Sequence, residues 1–94
     1  MSKQLIVELT GPARIIADRK EVTITVAEEA TWRDVLAALA RALPALVGEV
    51  ISADKHDIVG PYLLNVGGRY AVRNFDEKAP LQDGDHLSLL EETC

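Results

Sequence analysis

The chain is poor in aromatic residues: its 94 positions hold one Trp, one Phe and two Tyr. A core without bulky rings has to be built from Leu, Val, Ile and Ala, and such a composition offers little on which nucleic-acid bases could stack. Basic residues are also few, 10 against 15 acidic ones for a formal net charge of -5, and no Lys/Arg cluster forms a positive stripe on one face. Nucleic acid is therefore not an expected partner. At long range the charge favours a basic partner surface, an attraction that salt weakens. A single cysteine, Cys94, excludes an internal disulfide and agrees with a reducing cytoplasm, the expected location. The opening residues lack the apolar core of a leader, and no apolar run approaches the roughly 20 residues that span a bilayer, so neither export nor a membrane partner is expected.

What is present is an aliphatic pattern. Hydrophobic residues make up 48% of the chain, ample for one small core, so a single domain over residues 1–94 with a very short tail at 91–94 is expected. From Lys3 to Leu9 the residues alternate, with Leu5, Val7 and Leu9 on one side and Gln4, Ile6 and Glu8 on the other. Val22, Ile24 and Val26 alternate with Thr23 and Thr25 in the same way, and the two runs read as an antiparallel hairpin with a long loop. The period then changes. Trp32, Val35, Leu36, Leu39 and Leu43 form the stripe of an amphipathic helix, with Thr31 as N-cap, Asp34 at N3, and Pro44 ending the helix at Leu43. A further helical turn is expected within Ala45 to Ile51. Tyr62 to Val66 returns to strand character, Gly67-Gly68 supplies a two-residue turn into a second arm, Arg69 to Val72, and His86 to Leu90 forms the last strand. Asp83-Gly84-Asp85 reads as the turn before it, with Gly84 allowing the reversal and the aspartates capping it.

This order of elements, strand-strand-helix-strand-strand-strand, fits an α+β domain with a mixed four- to five-stranded sheet and one main helix packed on one face, and taken alone it also permits other two-layer α+β folds. Four stretches stand out in order: Leu9-Thr10-Gly11-Pro12-Ala13-Arg14 at the end of the first strand, Ala27-Glu28-Glu29-Ala30-Thr31 with Val35-Leu36-Ala37-Ala38-Leu39 at the helix, Leu64-Asn65-Val66-Gly67-Gly68-Arg69-Tyr70 at the hairpin, and Leu81-Gln82-Asp83-Gly84-Asp85 at the late turn. Together they resemble the ubiquitin-like sulfur carriers, the MoaD/ThiS family that includes the small subunit of molybdopterin synthase. The resemblance implies a β-grasp, ubiquitin-like fold whose first and last strands pair in parallel at the centre. It also implies a carrier that is not itself an enzyme and needs no cofactor of its own. Its partners would be an adenylating, E1-like enzyme or a larger synthase subunit, and its task sulfur delivery in molybdopterin or thiamine biosynthesis.

In that family the tail ends in Gly-Gly, and its carboxylate is adenylated and converted to a thiocarboxylate. Here the sequence reads Glu91-Glu92-Thr93-Cys94, and Gly67-Gly68 is internal, so a non-carrier binding subunit or a protein modifier stands as the alternative. Thr93 and Cys94 are the candidate tail residues for sulfur or conjugation chemistry, set against an inert terminal thiol. Ile6, Leu64 and Leu90 are the candidate partner-binding residues on the sheet face away from the helix, where scattered aliphatics are also ordinary. His56 with Asp54 and Asp57, and His86 with Asp83 and Asp85, lack zinc-site spacing and sit where turns need polar residues, so no metal is expected. Oligomeric state is left open.

Overall fold

Alternating side chains build the first layer. Strand β1 (Ser2–Leu9) buries Lys3, Leu5, Val7 and Leu9, and strand β2 (Glu21–Ala27) buries Val22, Ile24 and Val26. The two run antiparallel, from Ser2 opposite Ala27 to Glu8 opposite Glu21. The computed structural model describes residues 2–54, 57–59, 62–67, 70–72, 75–79 and 81–91.

The connection between these strands is not a plain loop, as the alternation suggested, but a short helix, α1 (Gly11–Ala17). Thr10-Gly11-Pro12 reads as a strand stop, yet proline near a helix start is favourable, because its missing N–H is one that the helix leaves unbonded anyway. Ala13 is buried, and Ile16 and Ala17 pack against the core one turn on, a period too short to stand out in sequence.

Helix α2 (Trp32–Ala42) lays Trp32, Val35, Leu36 and Leu39 into the core. Its N-terminus carries a reciprocal cap: the Asp34 N–H donates to Thr31 Oγ1 at 3.3 Å, and the Thr31 N–H donates to Asp34 Oδ2 at 3.0 Å. The loop ahead of the last strand satisfies two more free donors of this first turn, with Trp32 N–H on the Glu77 carbonyl at 3.0 Å and Arg33 N–H on the Phe75 carbonyl at 2.9 Å. Arg33 also pairs with Asp76. Thr31→Ala should therefore destabilise the domain by about 1 kcal/mol, roughly 4–8 °C in Tm, measurable by thermal melting. The helix stops ahead of Pro44, and a single turn of 3₁₀ helix (Pro44–Leu46) follows, seating Leu46, Val50 and Ile51 fully in the core.

Strands β3 (Tyr62–Val66), β4 (Tyr70–Ala71) and β5 (His86–Glu91) complete a mixed five-stranded sheet in the order β2-β1-β5-β3-β4. Val66 stands opposite Tyr70, and the turn expected at Gly67-Gly68 lies in part outside the described residues. Strand β5 pairs in parallel with β1, from Ile6 opposite His86 to Leu9 opposite Leu89, and antiparallel with β3. The turn before β5 is tied to β1 at both atoms of one peptide position: Gly84 N–H donates to the Gln4 carbonyl and Gln4 N–H to Asp83 Oδ1, each at 2.7 Å. Gly84 has φ +88°, a conformation that side chains disfavour. Lys3, buried at the edge of the core, donates from Nζ to the Leu81 carbonyl at 2.6 Å and holds the same loop from the other face of the sheet.

Candidate functional site

With α2 covering one face, the parity of each strand decides which residues the other face shows. On β5, Leu87 and Leu89 are fully buried, so His86, Ser88 and Leu90 point away from the helix. Ile6 on β1 does the same and is partly exposed, as is Leu90. Leu64 does not: it is 0% exposed, paired with Leu89 in the core. The expectation that Leu64 belongs to the docking face is thereby corrected. Its neighbour Leu63 holds that place, partly exposed and opposite Leu90. Two consecutive leucines on a strand cannot share a face, and the inward positions of Val66 and Leu64, two residues apart, are the signal that would have assigned them.

The open face does not gather all its aliphatic residues. Leu63 and Leu90 form a cross-strand pair, while Ile6 lies opposite His86, four residues back along β5 from Leu90, or about 13 Å at strand rise. Beside Ile6 stand Thr23 and His86, and the His86 Nδ1 is 3.9 Å from a Glu8 carboxylate oxygen. Ser88 and Asn65, paired across β5 and β3, separate the two apolar regions with polar groups. The Leu63–Leu90 pair is the one next to the end of β5, whose last residue, Glu91, lies opposite Tyr62.

That strand end is central in the sheet and firmly held. Thr10 donates both its hydroxyl and its backbone N–H to the Leu89 carbonyl, at 3.2 and 3.3 Å, and α1 packs against β5. Strand β5 thus reaches its end between β1 and β3, beside an apolar pair. Thr93 and Cys94, the candidate tail residues, lie outside the described residues, as does His56. Asp83 and Asp85 are engaged with backbone N–H groups of Gln4 and Gln82, the second at 2.9 Å, so the His86 neighbourhood serves the turn. Among the described residues no three His, Cys, Asp or Glu side chains converge to hold a metal, and no helix is long and apolar enough to cross a membrane.

No protein-family model matches the chain, and comparison with curated proteins also gives no match. Solved structures do resemble it. SAMP1 from Haloferax volcanii is 26% identical, with a TM-score of 0.76 over 96% of each chain. A second structure of that organism's small archaeal modifier protein 1 is 25% identical, with a TM-score of 0.79 over 97% of this chain and 99% of that one. A provisionally assigned molybdopterin converting factor subunit 1 from Pyrococcus furiosus is 22% identical, with a TM-score of 0.71 over 97% of this chain and 99% of that one, a likeness of fold. The strand order, the parallel pairing of β1 with β5 and these likenesses agree: the chain has the ubiquitin-like β-grasp fold of the MoaD/ThiS type.

Proposed function

We propose that this chain is a ubiquitin-like carrier that docks through the Leu63–Leu90 pair and presents its carboxyl terminus to an adenylating, E1-like partner. The observation that carries this reading is the placement of β5: the last strand is central, pinned by Thr10, and ends beside an apolar pair on the face that α2 leaves open. A partner that covers the pair is thereby positioned to receive the segment that follows Glu91. The partner would join the terminal carboxylate to AMP from ATP, releasing pyrophosphate, and a donor of sulfide-level sulfur would displace the AMP to leave a thiocarboxylate for cofactor synthesis, molybdopterin or thiamine. Chemistry resides with the partners, and this chain supplies recognition and transport, which suits a reducing cytoplasm.

The second reading, a protein modifier conjugated through the same terminus, is supported by the likeness to small archaeal modifier protein 1 of Haloferax volcanii, at 26% and 25% identity in its two structures. Both readings require activation with ATP. With a cognate adenylating enzyme, the chain should stimulate exchange of labelled pyrophosphate into ATP well above the enzyme alone. A folded chain that leaves exchange at the enzyme's own rate contradicts both.

A further inference from the structure

Two arginines, a lysine and one aspartate lie within residues 14–20, where the linear spacing showed no cluster. The fold makes one. Because Ala13, Ile16 and Ala17 of α1 face the core, Arg14 and Ile15 face solvent. The helix ends at Asp18, whose left-handed backbone (φ 56°, ψ 40°) turns the chain back so that its N–H meets the Arg14 and Ile15 carbonyls. Arg19 N–H then donates to the Arg14 carbonyl at 3.3 Å, and the Lys20 carbonyl accepts from Leu9 N–H at 2.7 Å, which fixes both basic residues beside the helix. The result is a hollow of about 410 Å³ lined by Arg14, Ile15, Asp18, Arg19 and Lys20.

Two properties of this hollow are not needed for folding. Ile15 is 80% exposed, the one large apolar side chain so open among the described residues. Arg14, Arg19 and Lys20 form no ion pair among the described residues, in a chain of formal charge -5. A lone exposed isoleucine is ordinary. One that shares a hollow with three cations lacking an ion pair among the described residues is a surface with a defined complement, since an apolar group gains by covering it and carboxylates gain by meeting the cations.

We propose that this hollow docks an acidic segment of a partner protein, one that places an apolar side chain on Ile15 and carboxylates against Arg14, Arg19 and Lys20. A nucleic acid fits less well, because its continuous charge would extend past the cluster onto the rest of a chain of formal charge -5, where a short acidic segment need not reach. Because α1 packs against β5, the hollow belongs to the element that also supports the carboxyl-terminal strand. The inference stands whether the chain is a carrier or a modifier.

The test is an NMR titration of the full chain with a synthetic peptide of alternating Glu and Leu, against one with Lys for Glu and one with Ser for Leu. The Glu/Leu peptide should shift the amide signals of residues 14–20, bind more weakly as salt rises, and lose at least tenfold in affinity to Ile15→Ser or to the Arg19→Glu, Lys20→Glu pair. These side chains are exposed, so the variants should keep the native spectrum, and the titration of the unaltered chain decides alone if they do not. Absent shifts, shifts confined to other elements, equal binding of the Ser or Lys peptides, or tighter binding of a short RNA at the same amides would each overturn the proposal.

Discussion

Leu64→Asp should leave no folded protein at 25 °C, whereas Leu63→Asp, one residue away, should leave the domain folded. Leu64 is fully enclosed opposite Leu89, so the variant loses the packing of a core leucine, about 2–5 kcal/mol, and must also bury an unpaired carboxylate at a cost of several more. Together these reach the whole stability of a small domain, on the order of 5–10 kcal/mol. Leu63 points to the open face, where an aspartate keeps its water, and a loss of about 1 kcal/mol is expected. Circular dichroism with urea unfolding measures both. The reverse ranking, with Leu63→Asp the damaging one, would mean that β3 is not in the register described, because a slip of one residue exchanges their faces.

Leu90→Glu should weaken binding of the adenylating partner about 100-fold, near 3 kcal/mol, with unfolding stability changed by no more than about 1 kcal/mol. The substitution sets a charge in the centre of the apolar pair, where docking would strip its water, while the free protein leaves it partly exposed. Ile6→Glu should do less, because Ile6 lies about 13 Å along the sheet, beside polar neighbours. Calorimetric titration of each variant with the partner measures the difference. Undiminished binding of the Leu90 variant would remove the open face from the docking surface.

The elements legible in the sequence are those whose information is local. Alternation in residues 3–9 and 21–26, the stripe from Trp32 to Leu43 and the Thr31–Asp34 cap each announce themselves within a few residues, and the structure has each of them. The parallel pairing of β1 with β5 spans the whole chain and came from resemblance rather than from any window of residues. Helix α1 was missed because seven residues hold only one repeat of a helical period, and Gly11-Pro12 reads equally as a break. The place of Leu64 was missed for a different reason. Leu63-Leu64 is degenerate in hydrophobicity, and only pairing against β5 tells the two apart. The basic hollow is local in sequence, within residues 14–20, but it depends on helix α1 and on the reversal at Asp18, and neither was legible. Of the candidate site, alternation alone placed Ile6 and Leu90 on the open face, but it could not show that they stand apart.

The most direct measurement is the intact mass of the protein purified from its native host, alone and after incubation with a cognate adenylating enzyme, ATP and a sulfur donor. The carrier reading predicts gain of one adenylate, or exchange of one oxygen for sulfur, at the C-terminal carboxyl group. An unmodified mass in both samples, or sulfur that a reductant removes from Cys94, would contradict it.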